Sequence, residues 1–570
     1  MFFPKLNPLK QKAVTLNAFG GLNRTPGAAD GEFYRMENIT SAGWPALMPR
    51  QGRSIYAEAA CGGMVAKDAL CYVNGKDFII NGFSVDMGLT PGEKQLISMG
   101  AWVVIFPDKK YINTLDTAQW GSLEAFYTSA GTVQFSLCHA DGTPISDVTV
   151  SAETPQSQYW LDTQAGVLKQ YSAGAETWVE VETTYVRIAA KDIGKHFSVG
   201  DGVAVSGVAG SALQKLNTSA CICALGENFI VIPGIVEGSA SQDPDQGAVS
   251  VSRTVPEMDF VVEADNRLWG CRYGLDRAGN VVNELYACKL GDFKNWQCFQ
   301  GLSTDSYRVS LGADGPYTGA AVYLGQPVFF RENCLHKVYG SYPAEYRLQT
   351  TACRGVQQGS HKSLALVDGA LYYKAPEGIC VYDGSLPENI SQKLGQDRYH
   401  SAVGGGWGSK YYVSMRDRQG GHHLFVYDTA RRLWCREDDL PIQHLCPCGD
   451  RLYAATDKEI WILAGADTPE SVRWMAQTGP LAPRDPHKRY ISRIIPRLLL
   501  EPGTRMRFLV RYDGQGGWET LGTVTGSGLR SFSLPMRTRR CEFLELRLEG
   551  VGQGRLYSLT MIAEQGSEQL

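Results

Sequence analysis

A loose internal repeat constrains the fold of this chain more than any other feature of its sequence. Each copy consists of a turn, an apolar or aromatic strand, a short hairpin and a second aromatic strand, with apolar and polar residues alternating. Alternation with a period of two is typical of β-structure. The later copies begin at Asn266, Gln326, Gly369, Ser409 and Asp450. From Gln326 onward they recur about every 40–45 residues, the spacing of four-stranded propeller blades, so the repeat predicts a β-propeller.

The repeat is interrupted and then ends before the chain does. Two earlier copies lie at residues 69–80 and 102–112, and the block between them and the later copies has a different texture. Loop tips on rigid repeats tolerate such insertions. We therefore predict an all-β chain with an N-terminal arm (1–60), a β-propeller of about six blades (61–115 and 255–470), an inserted small β-barrel or sandwich domain (116–254) and a C-terminal β-sandwich (471–570).

Length and composition agree with several β domains. The 570 residues exceed the roughly 250–300 at which a single core stops growing. The chain has 63 glycines and 10% aromatic residues, as expected for short strands joined by tight turns. The formal net charge is −4 with both signs mixed along the chain, so we predict no basic face of the nucleic-acid-binding kind.

The sequence predicts neither a membrane-spanning segment nor a signal peptide. Its apolar runs are far shorter than the roughly 20 residues that cross a bilayer. Residues 1–12 contain lysines and prolines but no continuous apolar stretch. The fifteen cysteines form no C-x-x-C motif, and most stand where a small apolar residue fits. We read them as reduced core residues, with no metal site and no cofactor.

A search for catalytic motifs finds none that is specific. The glycine run 404–406 lacks the lysine and hydroxyl residue of a phosphate-binding loop, and no nucleophile elbow occurs. His422 and His423 are adjacent, so on a strand they point to opposite faces. Asp438 and Asp439 favour a solvated loop over a glycosidase pair. The sequence therefore predicts a protein that is not an enzyme and has no catalytic residues.

Two kinds of residue leave a binding role open at the level of sequence. Trp407, Trp434 and Trp461 recur in the blades and favour core positions, although exposed aromatics on propeller loops also stack on sugars. The turns at Asp383 and Asp513 lack the full acidic pattern of a calcium loop, so we read them as plain turns.

The N-terminal segment carries the most specific resemblance. It reads NAFGGLN at 17–23, GEFYRMENI at 31–39 and WPALMPR at 44–50, and a later phrase reads KLGDFKNW at 289–296. This resembles the opening arm of bacteriophage tail nozzle and stabilisation-type β-propeller proteins. The residues that carry the resemblance, and that we take as assembly candidates, are Phe19, Gly20, Gly21, Asn23, Asn38, Pro45 and Arg50. A plainer alternative is that the N-terminal segment supplies a strand that completes the last blade.

The resemblance implies a structural virion protein made in the cytoplasm of the host bacterium, from a phage or prophage. It implies a nozzle- or hub-like homo-oligomeric ring, hexameric by analogy, that contacts portal, adaptor or other tail proteins. Such a ring continues or seals the conduit and passes DNA during ejection without sequence-specific binding. Two alternatives remain at this point: a carbohydrate-binding propeller that recognises a host, and a propeller glycosidase with two carboxylates about 5–10 Å apart.

Overall fold

The computed structural model describes residues 11–150, 157–276, 279–312, 315–466, 468, 470–481, 489–537 and 539–564. It confirms the predicted all-β propeller fold with additional β domains. Seven four-stranded antiparallel sheets, each with its strands in meander order, are the blades in the described residues. That is one more than the predicted six or so, because both upstream copies of the repeat form complete blades.

The N-terminal strands and the first two blades come first along the chain. The arm contains β1 (Gln11–Leu16), β2 (Phe33–Glu37), β3 (Ile39–Thr40), β4 (Met48–Pro49) and β5 (Ser54–Glu58). The first blade contains β6 (Cys61–Ala66), β7 (Leu70–Asn74), β8 (Asp77–Ile80) and β9 (Phe83–Asp86). The second contains β10 (Gln95–Met99), β11 (Trp102–Phe106), β12 (Lys110–Asn113) and β13 (Trp120–Ser122). This blade therefore ends seven residues later than the predicted boundary at 115.

The inserted domain has its own apolar core and three sheets. Its strands are β14 (Ala125–Thr128), β15 (Val133–Cys138), β16 (Val148–Val150), β17 (Tyr159–Asp162), β18 (Val167–Ser172), β19 (Thr177–Glu180), β20 (Tyr185–Ala189), β21 (Gly202–Ser206), β22 (Ser219–Cys221), β23 (Ala224–Gly226), β24 (Phe229–Pro233), β25 (Ala240–Gln242) and β26 (Ser250–Arg253). One sheet has the order β14-β26-β21-β22 and another β23-β24-β20-β15-β25. Buried residues such as Phe135, Ile188 and Ile230 form its core.

The remaining blades follow the insertion. The third to sixth blades contain β27 (Phe260–Ala264), β28 (Arg267–Leu275), β29 (Val281–Ala287), β30 (Tyr307–Ser310), β31 (Gly319–Tyr323), β32 (Gln326–Phe330), β33 (Cys334–Tyr339), β34 (Arg347–Ala352), β35 (Ala365–Val367), β36 (Ala370–Ala375), β37 (Gly378–Tyr382), β38 (Glu388–Asn389), β39 (His400–Trp407), β40 (Lys410–Arg416), β41 (His422–Asp428) and β42 (Leu433–Arg436). The seventh contains β43 (His444–Cys448), β44 (Arg451–Ala455) and β45 (Glu459–Ala464), and β5 pairs with β45 as its fourth strand. An N-terminal strand therefore completes the last blade, as the plainer alternative for the arm predicted.

The C-terminal region is a sandwich of two sheets that also takes strands from the arm. Its strands are β46 (Arg473–Thr478), β47 (Arg489–Leu500), β48 (Arg505–Tyr512), β49 (Gln515–Thr525), β50 (Gly528–Ser531), β51 (Leu534–Pro535), β52 (Arg540–Cys541), β53 (Leu544–Val551) and β54 (Gly554–Glu564). One sheet has the order β1-β54-β47-β50, with β51 and β52 also on β47, and the other β2-β46-β53-β48-β49. The sandwich therefore extends beyond residues 471–570, because β1 and β2 belong to it.

Six short 3₁₀ turns complete the described elements, at Ser41–Gly43, Ile193–His196, Gln214–Leu216, Pro244–Gln246, His361–Ser363 and Gln392–Leu394. The chain divides into two compact units. The first comprises Met1–Glu93, Phe330–Leu335 and Thr351–Leu570, and the second Lys94–Phe329 and His336–Thr350. The first unit has one large apolar core that includes arm, blade and sandwich residues such as Phe33, Phe425 and Phe508. Residues 1–10 of the predicted arm lie outside the described residues.

Candidate functional site

The arm is fixed to the sixth blade at Gly21. The backbone N–H of Leu22 donates to the carbonyl oxygen of Trp434 at 2.6 Å. Gly21 has a φ of +81°, and a β-carbon there would lie 2.5 Å from the same carbonyl oxygen. A side chain at this position is therefore excluded both by backbone conformation and by space. The glycine allows the arm to lie directly against the strand edge.

The seven arm candidates of the sequence all serve the packing of the chain itself. Phe19 is buried and its ring lies 5.9 Å from that of Phe33. The N–H of Phe19 donates to the carbonyl oxygen of Pro45. Gly20 faces Glu32, and the Asn23 amide donates to the Glu32 carboxylate at 2.7 Å. Asn38 accepts from Arg50 at 2.8 Å, and Arg50 also pairs with Glu470 at 3.0 Å. Their proposed role in assembly with other subunits stays a prediction.

A cleft of about 650 Å³ opens where the arm meets the sixth blade. It is lined by Leu22, Arg24, Tyr34, Arg35 and Met36 of the arm, by Gln396, Asp397, Arg398 and Tyr399 of the connection before the sixth blade, by Asp417, Arg418 and Gln419 of a hairpin tip, and by His423, Phe425 and Arg436 of the blade strands. The apolar residues are buried and form the base, whereas most of the charged residues reach solvent. Its five arginines and two aspartates leave a formal excess of three positive charges.

One wall of the cleft is the tip of the β40–β41 hairpin. The carboxylate of Asp417 accepts from the backbone N–H groups of Gln419 at 2.9 Å and Gly421 at 2.8 Å, which closes the turn. Its other oxygen lies 2.8 Å from Nε2 of His423, and Nδ1 of His423 lies 3.3 Å from a guanidinium nitrogen of Arg436. The hydrogen bond from His423, and the turn N–H groups, lower the pKa of Asp417. Asp417 is therefore a permanent acceptor that orients the imidazole.

The facing wall couples the arm to the connection before the sixth blade. Arg24 pairs with Asp397 at 2.5 Å and lies 3.3 Å from the hydroxyl of Tyr399. The backbone N–H of Arg24 also donates to the carbonyl of Lys393 at 2.8 Å. Burial, together with the Asp397 carboxylate, raises the pKa of Tyr399 although Arg24 opposes the shift. Tyr399 is therefore a neutral hydroxyl that remains a hydrogen-bond donor at physiological pH.

Two arginines of the cleft have no counter-charge. In the described part of the chain, Arg398 and Arg418 make neither an ion pair nor a hydrogen bond, and both side chains are exposed. Arg24, Arg35 and Arg436 are paired with carboxylates. A guanidinium group presents parallel donors that match a carboxylate or sulfate. The cleft is therefore equipped to hold an anionic group between two unneutralised cations.

Proton donation from a carboxylic acid has little support in this cleft. A glycosidase acid needs a raised pKa, but the pKa of Asp417 is lowered by its partners and Asp397 is bound to Arg24. Burial raises the pKa of Glu437, but that side chain faces Arg53 at 2.5 Å in the interior and does not line the cleft. The arrangement therefore favours recognition of an anion over general acid catalysis.

Other residues singled out in the sequence have mixed outcomes. Trp434 is buried, in agreement with a core role, and Trp407 is partly buried with its indole N–H bonded to the carbonyl of Asp450. Asp438 and Asp439 lie in the loop after β42: Asp439 is exposed and pairs with Arg436 three residues before it, whereas Asp438 is half-buried and binds Arg53. The pairing of Asp438 with Arg53 joins residues that are far apart in sequence, which sequence spacing does not reveal.

The metal and membrane predictions are addressed by three observations. All fifteen cysteines are free thiols and are buried or half-buried. Among the described residues, no group of three or more His, Cys, Asp or Glu side chains is arranged to hold a metal ion. None of the helices in the described ranges has the length and apolar character that a membrane span requires.

Sequence reasoning missed the residues of the cleft, which come together only in the folded chain, and it also missed a segregation of charge outside the cleft. Residues 471–570 contain 15 basic and 9 acidic residues, a formal charge of +6, and 14 of the basic residues are arginine. Since the whole chain carries −4, the remaining residues carry −10. The charges are therefore segregated rather than evenly mixed, which corrects the interpretation drawn from the overall composition.

Comparison with known proteins gives distant structural likenesses. No protein-family model and no curated protein sequence matches this chain. Among solved structures, an exo-β-1,3-galactanase from Phanerochaete chrysosporium is 9% identical, with 53% of this chain and 94% of that chain covered and a TM-score of 0.20. A Trypanosoma rangeli sialidase is 9% identical over 96% of this chain and 95% of its own, with a TM-score of 0.22. PorZ, a surface component of the type-IX secretion system of Porphyromonas gingivalis, is 10% identical over 90% of this chain and 78% of its own, with a TM-score of 0.26.

These findings correct the function predicted from the N-terminal arm. The prediction of a non-enzymatic structural protein of a phage tail is contradicted: the solved structures that match the chain include glycoside hydrolases and a sialidase. The hexameric ring and the portal, adaptor and DNA partners depended on that resemblance and have no support. The physical reason is that the arm residues are explained by packing within this chain. The virion localisation has not been tested and stays a prediction.

Proposed function

We propose that this protein binds an acidic sugar of a glycan in the cleft between the arm and the sixth blade. The observation that carries the proposal is the pair of exposed arginines, Arg398 and Arg418, that have no counter-charge among the described residues and stand above an apolar base. A carboxylate or sulfate on a sugar supplies the missing charge. Charge-assisted hydrogen bonds of this kind contribute about 1.5–3 kcal/mol each.

The remaining groups of the cleft suit a ring that carries many hydroxyls. Asp397 and Asp417 are acceptors, and Tyr399 is a neutral hydroxyl. Tyr34 is 45% exposed and offers an aromatic face at the rim. The volume of about 650 Å³ lies within the 300–1,000 Å³ or so of typical small-molecule pockets. A neutral sugar would leave both unpaired arginines without a partner, so the cleft selects for the acidic one.

Isothermal titration with matched sugars tests this proposal. The probes are a galacturonic acid disaccharide, an N-acetylneuraminyl-lactose, a 6-sulfated galactose disaccharide and the neutral galactose disaccharide. We expect at least one acidic probe to bind ten times more tightly than the neutral one, and the three acidic arms distinguish carboxylate from sulfate recognition. Equal affinity for acidic and neutral probes would overturn the proposal.

Substitution of the two unpaired arginines tests the site itself. We expect Arg398→Gln and Arg418→Gln each to weaken binding of the acidic probe about tenfold, because each removes one charge-assisted contact. Arg497→Gln is the matched control, since Arg497 is an exposed arginine on β47, which belongs to the other sandwich sheet. Product analysis after long incubation reports whether the bound glycan is also hydrolysed. A loss in the control that equals the loss in the cleft variants would contradict the assignment.

A further inference from the structure

The outer face of the five-stranded sandwich sheet is a second arginine-rich surface. Along β2, β46, β53, β48 and β49, side chains alternate between the core and the outer face. In one cross-strand row Met36, Ala476, Leu548 and Phe508 point inward and are buried. The outer face carries the arginines Arg35, Arg473, Arg505, Arg507, Arg511 and Arg547 and the glutamates Glu37, Glu545 and Glu549. Six cations against three anions leave a local excess of three positive charges.

Most of these arginines are already bound within the sheet. Arg35 pairs with Glu37 at 3.0 Å, and Arg507 and Arg511 pair with Glu549 and Glu545 on the neighbouring strand. Arg547 donates to the side-chain oxygen of Gln477 at 2.8 Å. Arg511 and Arg547 also lie over the ring of Trp518, at 5.0 and 4.3 Å from its centroid. These contacts hold the surface in one arrangement and reduce the entropy lost when a ligand binds.

Two arginines of the face have no such partner. The side chains of Arg473 and Arg505 are exposed, and in the described residues neither guanidinium group makes an ion pair or a hydrogen bond. Both stand opposite Val551, one on each side of β53. Strands in a sheet lie about 4.8 Å apart, so the two α-carbons are about 10 Å apart. An anionic group placed between these two side chains would be contacted by a guanidinium group on each side.

The arginine face is continuous with the cleft. A shallow basin of about 580 Å³ is lined by Arg35, Glu37, Arg473, Trp474, Met475, Arg505, Arg507, Arg547, Glu549, Gly550 and Val551. Arg35 lines this basin and the cleft as well. Two pairs of unneutralised arginines, Arg398 with Arg418 and Arg473 with Arg505, therefore lie along one surface that Arg35 joins.

We propose that the ligand is an acidic polysaccharide whose chain continues from the cleft across the arginine face. This inference rests on the proposed function and specifies the ligand as a polymer with an acidic group on successive sugars. Charge complementarity supports the occupant, because the face presents repeated cations in a rigid sheet. The hydroxyl-accepting carboxylates Asp397 and Asp417 at the adjoining cleft favour sugars over the phosphodiester chain of a nucleic acid, which has few hydroxyl donors.

A length series of oligogalacturonides, from two to twelve units, tests the continuation. Each is titrated against the full chain in 0.1 M salt. We expect affinity to rise at least tenfold between the shortest and longest members as the chain reaches the arginine face. Arg473→Gln/Arg505→Gln abolishes that gain and leaves the affinity of the shortest oligomer unchanged. Arg497→Gln/Arg555→Gln is the matched control with two exposed arginines of the other sheet, and it retains the gain.

The outcomes separate the two proposals. Binding of the shortest oligomer without any gain from length overturns the polysaccharide track and leaves the cleft in place. Failure of the shortest oligogalacturonide and also of the N-acetylneuraminyl and 6-sulfated probes to bind more tightly than the neutral disaccharide overturns the proposed function instead. A twelve-nucleotide single-stranded DNA provides a further arm, and tighter binding of this probe than of the longest oligogalacturonide, sensitive to Arg473→Gln/Arg505→Gln, would assign the face to nucleic acid and contradict the inference.

Discussion

At the scale of single residues, arginines of the same chemistry have opposite roles in this chain. Arg53 is buried and bound to Glu437 and Asp438, whereas Arg398 and Arg418 reach solvent without a partner. A buried guanidinium stabilises its carboxylates, and an exposed one without a partner is available to a ligand. The number of arginines in the sequence therefore does not indicate how many of them can bind a ligand, because that depends on the groups around each one.

The packing of the arm against the sixth blade depends on the absence of a side chain at Gly21. Gly21→Ala is expected to lower the free energy of unfolding by about 2–4 kcal/mol, since alanine adds a backbone cost at φ +81° and a clash with the Trp434 carbonyl. Urea denaturation followed by tryptophan fluorescence measures the change. Gly27→Ala is the matched control, because a β-carbon there meets no atom within 4 Å, and we expect a change below about 0.5 kcal/mol. Equal effects of the two substitutions would refute this explanation.

At the scale of elements, the arm is built into two structures at once. β5 is the fourth strand of the seventh blade, while β1 and β2 are edge strands of the two sandwich sheets. The same segment supplies one side of the cleft. The arm thereby positions Arg24 and Tyr34 against the sixth blade. Completion of the seventh blade and formation of the cleft are therefore consequences of one chain segment.

The ion cluster beside β5 gives a test at this scale. Arg53→Met is expected to cost about 3–5 kcal/mol in unfolding free energy, because it leaves the buried Glu437 carboxylate without its partner. The double variant Arg53→Met/Glu437→Met is expected to recover at least half of that loss, since no unpaired charge remains there. Chemical denaturation of the two variants provides the measurement. A double variant less stable than the single one would contradict the explanation.

At the scale of the whole molecule, the chain uses cysteine as a core residue throughout. Buried thiols occur in the blades, the inserted domain and the sandwich. Burial raises the pKa of Cys61, Cys71, Cys288, Cys435 and Cys446 to about 12 from a usual value of 9.0. In the unfolded chain these thiols ionise near their usual value. Their burial therefore links folding stability to alkaline pH.

Stability is expected to fall steeply above pH 9. A group whose pKa is raised by folding contributes its full stability below the unfolded pKa and loses it as pH rises through the folded one, here between about 9 and 12. The contribution of each such thiol to the free energy of unfolding falls by about 1.4 kcal/mol per pH unit in this range. Lys374 acts in the opposite sense, because burial lowers its pKa to about 8, so its contribution rises with pH. Several thiols outweigh this one amine.

Urea titrations under reducing conditions at pH 7.5, 9, 10 and 11 measure that dependence. Cys435→Ala is expected to be less stable at pH 7.5 but to have a slope shallower by about 1.4 kcal/mol per unit above pH 9. Cys448→Ala is the control, since this thiol is only half-buried and its pKa is raised less than that of the fully buried Cys435. Parallel slopes for the wild type and Cys435→Ala would rule out thiol linkage as the cause.

The sequence by itself determined the propeller, the insertion and the existence of a separate C-terminal β region. Those inferences rest on periodicity, which is a local property: alternating strands and turns at Asn266, Gly369 and Asp450 specify blades wherever they stand. The sequence was less informative about the domain boundaries and about which strands of the arm join which domain. Nothing local in residues 11–16 or 54–58 indicates that one strand joins the sandwich and the other the last blade.

Only the tertiary structure decided the candidate site. Arg24 is hundreds of residues from Asp397 and Asp417, which are themselves two strands apart, and it meets them because Gly21 lets the arm lie against the sixth blade. Which arginines lack a partner is likewise a property of the folded chain, since pairing such as Asp439 with Arg436 consumes some charges and leaves others. The motif resemblance of the arm misled about function for the same reason. Local sequence reports how a segment is shaped, and its role depends on the distant residues against which it packs.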